Sequence, residues 1–543
     1  MTATLTAAPT TRTTDQFAQT WRLVGLMARR ERIIGLVTLV LFIAINAATA
    51  AQIAASYSTP AQRQLLLNGP GSNAAFRFLL GPLQNLESTA ALTVWRAGLF
   101  MVAALGVCAV LMVVRHTRAE EELGRYELVR SCATGPLASL AAAAIVASGF
   151  CVVVALGMSL MLFPLGGTAS GVFSVFAQYA TTGLAAVGAA LVTAQVAKTS
   201  HIANLTASAV VLIGYLLRGV ADSIDGWSWL RWVSPMGWAE AIDPFGADNL
   251  WPAVASLAVF ACGAVTAGVV VMHRDLGAGL IEPRPGPSSS ARLGSVGAVA
   301  WRTTRSLLAS WVVGIGVYAL IVGFMQPSVN ELAEGNEQVT KVLQQSGLGG
   351  DLSLLFVITM VAFLAVAASA WPVNLAERLR TEEAGGRTET LLGTPLSRSR
   401  FYLVHVVLAW LGVALAMMVA ATALTVGDGI AGGGWSESAR HSFAAAGAQI
   451  PAALVVGSIG LALYGVRPAL AHVGWLIVIA ALLLGPLAGM FGLPQWVHDL
   501  SPFTHSPQVP VASMQWTPIV VMVAVAAVFV GIGWAAFRRR DIT

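Results

Sequence analysis

The amino-acid sequence predicts an all-α polytopic membrane protein of about twelve transmembrane helices, arranged as two parallel six-helix repeats. Three observations predict this fold class. Of the 543 residues, 56% are hydrophobic and only 10% are charged, whereas soluble domains carry about 25% charged residues. The apolar residues form runs long enough to cross a bilayer. One charged decapeptide occurs twice, as RAEEELGRYE at 118–127 and as RTEEAGGRTE at 380–389.

The predicted spans account for most of the chain. Because lipid cannot satisfy free backbone polar groups, each span is predicted to be a helix. Most of the 31 lysines and arginines fall on one side of these spans, and positive residues favour the cytoplasmic side. The sequence therefore predicts a multi-pass protein of the plasma membrane with both termini in the cytoplasm. The spans lie near 33–55, 97–114, 137–162, 172–197, 204–221, 251–273, 305–326, 353–375, 401–425, 441–466, 468–490 and 517–537.

An amphipathic segment, DQFAQTWRLVGLMARRER, precedes the first span. One helical face carries Phe17, Trp21, Val24 and Ala28, while arginines lie on another face. An apolar face beside a basic face is typical of a helix lying in the membrane interface. The segment therefore predicts an N-terminal interfacial helix on the inner leaflet. The alternative interpretation is an ordinary basic flank that fixes topology.

Further repeats divide the chain into two halves. Each decapeptide follows the second span of a six-span set, and an even number of spans gives both halves the same orientation. Pro- and Ser-rich residues between the sets predict a flexible linker. We expect a first half at 1–273, a cytoplasmic linker at 274–296 and a second half at 297–543. Trp-Arg before the first span and Ser-Pro before the last span recur in each half, at Trp21–Arg22, Trp301–Arg302, Ser234–Pro235 and Ser501–Pro502.

The chain lacks the sequence signatures of an enzyme. A phosphate-binding loop needs Gly-Lys-Ser/Thr, but Lys198 and Lys341 follow Ala and Thr. HExxH and GxSxG are also absent, and no basic, aromatic-rich patch indicates nucleic acid. The cores of the predicted spans hold no Asp or Glu, although proton-driven carriers usually need an ionisable group there. We therefore expect no catalytic residue, metal or cofactor in this chain, and an energy source outside it.

The two decapeptides predict a docking surface. Acidic residues do little for membrane topology, yet each of these loops carries several glutamates beside its arginines. Their recurrence at matching positions favours a shaped surface for a partner over a passive loop. Glycine weakens a helix interior, so Gly124 and Gly386 are predicted to mark a bend or a close approach.

The second loop, RTEEAGGRTETLLGTPLSRSR, resembles the cytoplasmic signature of type-2 ABC exporter permeases, which is roughly Glu-x-x-Gly-x-x-Glu-x-Leu-Leu-x-Thr-Pro. The matching residues are Glu383, Gly386, Glu389, Leu391, Leu392, Thr394 and Pro395. The first loop keeps Glu121, Gly124 and Glu127 and then departs, with Val129–Arg130 replacing the Leu pair and Cys132–Ala133 replacing Thr-Pro. The fused two-half arrangement is similar to actinobacterial permeases of the tetronasin type, which are assigned to export of polyketide antibiotics.

The resemblance implies a permease that moves amphiphilic compounds, antibiotic-like, drug-like or lipid-like, out of the cell. Two copies of a cytoplasmic ABC ATPase would dock on the loops and bind ATP and Mg²⁺ themselves. Each half would have an interfacial helix, a coupling helix and short re-entrant helices outside, the last at 228–245 and 493–503. An aromatic belt at the outer membrane interface explains Trp227, Trp229, Trp232 and Trp238 equally well. The residues expected to couple to the ATPase are Glu120, Glu121, Gly124, Arg125, Glu127, Glu382, Glu383, Gly386, Arg387, Glu389, Leu391, Leu392 and Pro395.

Uncharged polar residues within the apolar runs are candidates for lining a substrate path across the lipid membrane. Hydrogen bonds between helices explain the same residues equally well, so both interpretations stay open. The residues are Gln178, Tyr179, Thr181, Gln195 and Gln449.

Two other protein classes remain alternatives. A proton-coupled carrier of the major facilitator type also has twelve spans in parallel halves, but of its loop pattern Gly-x-x-x-Asp-Arg-x-Gly-Arg only Gly124–Arg125 is present. A membrane-embedded transferase would need acidic or histidine groups at an interface. The candidate cluster for such an enzyme is Asp222, Asp225, Glu240, Asp243 and Asp248.

Overall fold

The computed structural model describes residues 16–67, 74–83, 85–131, 134–224, 226–274, 293–334, 352–486 and 495–541. Within these ranges the chain folds into helices joined by short turns, without a strand. Eleven of the described helices are long and apolar enough to cross a membrane, which confirms the all-α polytopic membrane class. The chain divides into two compact units, Met1–Gly286 and Pro287–Thr543. The division falls inside the predicted 274–296 linker, most of which lies outside the described residues.

The first half is built on six main helices. Between α1 and α2 lie the short helices Pro60–Leu66 and Ala74–Leu80, and Thr89–Thr93 with a π-helical turn at Val94–Gly98 leads into α2. Between α5 and α6 lie Ser228–Val233 and Pro235–Ala241. The six main helices are α1 (Thr20–Ser56), α2 (Leu99–His116), α3 (Ala138–Leu160), α4 (Ala169–Val196), α5 (Ser200–Ser223) and α6 (Trp251–His273).

The second half also has six main helices. Short helices at Gln495–His498 and Pro502–His505 again precede the last main helix, so both places predicted for re-entrant helices are helical. Whether these enter the membrane stays a prediction. The six main helices are α7 (Val296–Glu334), α8 (Leu352–Ala384), α9 (Arg398–Ile430), α10 (Trp435–Val466), α11 (Val473–Leu484) and α12 (Trp516–Arg539).

The eleventh helix is shorter than predicted. α11 has 12 residues, whereas the apolar run predicted a span at 468–490. Arg467 is extended, with a φ of −154°, and Pro468 starts a separate turn of 3-10 helix before α11. Proline cannot continue the hydrogen-bonding ladder of the preceding helix, which explains the break after α10. Residues 487–490 lie outside the described part of the chain.

The prediction of a separate N-terminal interfacial helix is wrong for the described residues. α1 is one continuous helix of 37 residues, and α7 is likewise continuous over 39 residues. Both Trp-Arg dipeptides lie inside these helices instead of preceding them. Trp21 is exposed, while Leu23 and Met27 pack against α3. The basic segment has no strong breaker between it and the apolar run, so helical hydrogen bonding continues through both.

The fourth and sixth helices meet backbone to backbone in both halves. The fourth helices, α4 and α10, are the most buried of the long helices. A Cβ added at Gly263 of α6 would lie 2.8 Å from Gly188 Cα of α4, and a Cβ added at Gly465 of α10 would lie 2.8 Å from Gly533 Cα of α12. Only glycine permits such a close approach, a common device in membrane helix packing.

The repeated Ser-Pro dipeptides also have matching geometry. Ser234 caps the helix Pro235–Ala241, and its hydroxyl donates to the Gly214 carbonyl oxygen of α5 at 3.2 Å. Ser501 precedes the helix Pro502–His505, and its hydroxyl donates to the Ala481 carbonyl oxygen of α11 at 3.5 Å. In each half the acceptor lies 20 residues before the serine. The two halves are therefore structural repeats at this end as well as at the decapeptides.

Candidate coupling site

Each decapeptide forms a helical bend around its central glycine. The short helices Arg118–Glu122 and Arg125–Arg130 flank Gly124, while Gly386 lies between the end of α8 and the short helix Arg387–Leu392. The φ angles are +69° at Gly124 and +71° at Gly386, a left-handed conformation that costs other residues free energy. No neighbouring described atom lies within 4 Å of a Cβ added at either glycine. The glycines therefore serve the bend, not a close approach.

The first decapeptide holds a buried carboxylate between two arginines. Glu121 Oε2 accepts a hydrogen bond from Arg118 at 2.7 Å, and Oε1 accepts one from Arg274. Arg118 also donates from Nε and Nη2 to the Lys198 carbonyl oxygen, at 2.9 and 2.7 Å. The three charged side chains are at least nine-tenths buried. Because Lys198 lies just beyond α4 and Arg274 is the first residue after α6, Glu121 connects this loop to both helix ends.

The second decapeptide holds its carboxylate differently. Arg540 donates to both oxygens of Glu383, at 2.8 and 2.7 Å, a bidentate pair with high geometric specificity. The hydroxyl of Tyr464, in the last turn of α10, donates to Glu383 at 2.9 Å. The Arg540 guanidinium also packs over the rings of Tyr464 and Phe537. Since Arg540 is the first residue after α12, Glu383 again connects its loop to the fourth and sixth helices.

Apart from Arg118, Glu121, Glu383 and Thr388, the decapeptide residues are exposed or partly exposed. A glutamate and an arginine five residues apart pair across each bend, Glu120 with Arg125 at 3.4 Å and Glu382 with Arg387. Glu120 also contacts Arg30 of α1 at 3.0 Å. The predicted coupling residues that are exposed are Gly124, Arg125, Glu127, Gly386, Arg387, Glu389, Leu391 and Pro395, and Leu392 is half-buried. The side chains of Val129 and Arg130, and residues 132–133, lie outside the described part.

The comparisons with known proteins bear on the whole chain. It is 31% identical over 534 residues to a protein of Mycobacterium tuberculosis described as "Multidrug efflux system permease protein Rv1217c", covering 97% of this chain and 96% of that protein. The chain belongs to the Rv1217c family of efflux system permeases. The family model described as "Multidrug efflux system permease Rv1217c, C-terminal domain" matches residues 293–538 of this Rv1217c-family permease, which is almost all of its second half.

Sequence reasoning missed the partners of the two buried glutamates in the permease. The sequence alone identifies Arg274 and Arg540 only as positive charges beside the last predicted span of each half, and Tyr464 only as part of the predicted span 441–466. One signal was available, because an arginine directly follows the sixth helix of each half. Burial could not be read from the sequence, since Glu121 and the exposed Glu127 occupy the same short motif.

A cavity of about 250 Å³ lies beside the short helix Arg387–Leu392 of the permease. Its lining is mostly apolar and includes Val299 of α7, Leu379 of α8 and His405 of α9. Thr388, on the buried side of the short helix, also lines it, and its hydroxyl has no hydrogen-bond partner among the described residues. The short helix therefore covers a mostly apolar space between the ends of α7, α8 and α9.

The predicted substrate-path residues are all buried within the permease. Gln178 donates to the Ala239 carbonyl oxygen at 2.7 Å, and Tyr179 donates to the Gly98 carbonyl oxygen at 3.1 Å. Thr181 bonds within its own helix. These bonds favour the interpretation of helix packing for these three residues. Gln178, Gln195 and Gln449 each have a side-chain oxygen without a partner among the described residues.

At the other end of the first half, part of the predicted acidic cluster is an ion-pair network. Buried Arg218 contacts Asp222 at 3.0 Å and Glu240 at 3.4 Å, and Arg231 contacts the same two at 2.7 and 3.1 Å. Arg218 also donates to the backbone at 78–79. Burial raises the pKa of Glu240, and the neighbouring Asp222 carboxyl raises it further. Arg218 and Arg231 act in the opposite direction without reversing the shift. These contacts hold the short helix Ala74–Leu80, between α1 and α2, against α5.

The other acids of that cluster serve local turns. Asp243 accepts from the Ala247 amide at 2.8 Å, and Asp248 accepts from the Phe245 amide at 3.0 Å. Asp225 lies outside the described residues. Carboxylates engaged in this way favour a structural role over the acid and base pair of a transferase. Within the described ranges, His, Cys, Asp and Glu form no group of three that could hold a metal ion.

Proposed function

We propose that this Rv1217c-family chain is the transmembrane subunit of an ATP-driven exporter that works with a separate ATPase dimer. The observation that carries the proposal is the duplicated loop. Both halves present a glycine bend of nearly the same φ, a buried Glu–Arg pair and an exposed glutamate on the short helix that follows the glycine. Two equivalent surfaces suit two copies of one partner. The efflux role given to the Mycobacterium tuberculosis relative supports the same conclusion.

The proposed topology places both decapeptide loops and both termini in the cytoplasm of a bacterial cell. The clustering of arginine and lysine on that side supports this orientation. ATP and Mg²⁺ would bind the partner, because the sequence offers no phosphate-binding loop.

The structure narrows which residues are suited to meet the ATPase. Glu127 and Glu389 are exposed on the short helices that follow the two glycines, so their carboxylates are available to a partner. Leu391 and Pro395 are exposed beside Glu389 and offer apolar contacts. Glu121 and Glu383, by contrast, are used inside their own halves. ATP-driven closure of the dimer would push both loops and change the access of a substrate path from the inner leaflet to the outside.

Amphiphilic compounds are the proposed substrates. The relative is described as a multidrug permease, and the apolar cavity behind the second coupling helix offers space for an apolar group near the inner leaflet. Antibiotic-like, drug-like and lipid-like molecules share this chemistry. The resemblance to tetronasin-type permeases favours polyketide antibiotics among them.

The test is reconstitution with a defined partner. The chain is purified alone, and together with a candidate soluble ABC ATPase of the same organism, in liposomes containing a fluorescent amphiphilic dye. We expect ATP hydrolysis and dye export only when both proteins are present, and export that survives a proton uncoupler. Hydrolysis by the chain alone, or loss of export on adding the uncoupler at constant ATP, would contradict the proposal and favour the carrier class.

A further inference from the structure

The two buried glutamates occupy the same position of the repeat and bind the same element. Glu121 and Glu383 are 262 residues apart, as are the two decapeptides. Each binds the arginine that directly follows the sixth helix of its half, Arg274 after α6 and Arg540 after α12. The same connection has therefore been kept twice, although the residues around it differ.

These carboxylates are poorly placed to bind an external partner. The side chains of Glu121 and Glu383 are only 9% and 5% exposed. Both oxygens of Glu121 accept from arginines, and both oxygens of Glu383 accept from Arg540. Separating such a pair leaves uncompensated charge in a place with little water. Each loop and the adjacent helix end are thereby held as one body.

We infer that Glu121 and Glu383 are positioning residues that transmit movement of the decapeptide loop to the sixth helix of the same half. This inference rests on the proposed ATPase coupling, since the partner supplies the push. A loop displaced by the partner carries its bound arginine, and that arginine moves the end of the sixth helix. The glycine contacts between Gly188 and Gly263 and between Gly465 and Gly533 then pass the movement to the fourth helix. Two packed elements with two arrangements are the physical basis of such coupling.

The second half permits a clean exchange of charges, because Glu383 has a single arginine partner among the described residues. The variants are Glu383→Arg, Arg540→Glu and the double exchange. Arg539→Glu is the matched control, since Arg539 is exposed beside Arg540 and undergoes the same change of charge. For each variant in liposomes, three quantities are measured: binding of the partner ATPase, its ATP hydrolysis and export of the dye.

Each single exchange is expected to leave ATPase binding and hydrolysis within about twofold of the wild type, while export falls at least tenfold. The double exchange should recover export to at least one third of the wild-type rate, and the control should behave as wild type. A merely structural role would reduce all three quantities together. Loss of ATPase binding in step with export in the single and double exchanges would instead make Glu383 a docking residue and overturn the inference.

If the single exchanges do not fold, the double exchange and Arg540→Lys decide the question. Arg540→Lys keeps the charge but loses the bidentate geometry, and we expect it to bind the ATPase normally while export falls about threefold or more. Normal export by folded Arg540→Lys, or a folded double exchange that binds the ATPase without exporting, overturns the inference. Absence of ATP-dependent export in the wild type would overturn the proposed function itself. If the wild type exports normally and the Glu383 and Arg540 variants still couple ATP hydrolysis to export, only the role of Glu383 is overturned.

Discussion

In the first loop Glu121 lies between two guanidinium groups, whereas in the second loop Glu383 takes one bidentate arginine and one tyrosine hydroxyl. Arg118 reaches the end of the fourth helix through the Lys198 carbonyl oxygen. In the second half Tyr464 is itself part of the fourth helix. The halves thus share the Glu–Arg pair that connects the loop to the sixth helix, whereas different residues connect the loop to the fourth helix.

The difference extends to the first residue of each decapeptide. Arg118 is only 1% exposed and donates to Glu121 and to the Lys198 carbonyl oxygen, while Arg380 is 36% exposed and contacts Glu377 at 3.5 Å. Identical residues at matching repeat positions therefore have unequal structural importance. The comparison teaches that a sequence repeat preserves the bend and the central carboxylate while the supporting residues diverge.

The largest difference between the loops should appear on removing this first arginine. Arg118→Ala leaves Glu121 without one of its two cations and is expected to cost about 3–5 kcal/mol, as for other broken buried pairs. Arg380→Ala removes a half-exposed pair and should cost within about 1 kcal/mol. Thermal unfolding of each purified variant in detergent measures the two effects. Equal shifts in unfolding temperature would show that the two loops are supported in the same way.

A smaller difference is expected from reversing the exposed glutamates. Glu389→Lys should reduce export by tenfold or more, because an interfacial charged contact is worth about 2 kcal/mol or more. Glu127→Lys should have a weaker effect, since the first loop lacks the Leu391–Leu392 and Thr394–Pro395 pattern beside its glutamate. Export, ATPase stimulation and ATPase pull-down at matched expression provide the measurement. Normal export by both variants would reduce the decapeptides to passive loops.

The smallest effect, and an equal one in both loops, is expected at the glycines. Alanine at Gly124 or Gly386 must adopt the left-handed conformation, at a cost of about 1 kcal/mol. No neighbouring atom would contact the added methyl group at either site, so the backbone cost is the main effect. Each loop should therefore unfold locally about fivefold more often. The rate of trypsin cleavage after Arg125 or Arg387 follows this opening. The controls are Gly124→Asn and Gly386→Asn, since asparagine tolerates the conformation better, and unequal alanine effects would contradict the equivalence of the bends.

The sequence predicts the membrane class, eleven of the spans and both glycine bends, because these follow from local properties. Apolar length dictates a span, and Gly124 and Gly386 stand where the helical pattern turns. The roles of Glu121 and Glu383 could not be predicted in the same way. Their partners lie 153 and 157 residues away, and only the packing of a half brings them together. The same limit applies to Arg218, which is buried against the backbone at 78–79, about 140 positions earlier in the chain.

Two predictions failed for local physical reasons. The basic residues before the first span indicated a separate surface helix, but nothing between Trp21 and Ile33 stops the helix, so α1 continues through them. The apolar run at 468–490 indicated a full span, but Pro468 and the extended Arg467 delay the start of α11. Hydropathy measures where a chain can cross a bilayer and does not locate the breaks in its hydrogen bonding.

The length of α1 has a mechanical consequence. Its 37 residues span about 55 Å, so even at a tilt of about 40° roughly ten residues must project beyond a hydrocarbon core of about 30 Å. Arg30 of α1 contacts Glu120 of the first decapeptide, and Glu31 of α1 contacts His116 at the end of α2 at 2.7 Å. These contacts lie away from the centre of α1. A sideways push of about 3 Å on one end of such a stiff rod corresponds to a tilt of about 3° over its length. A displacement of the first decapeptide is therefore expected to tilt α1 as one rigid body.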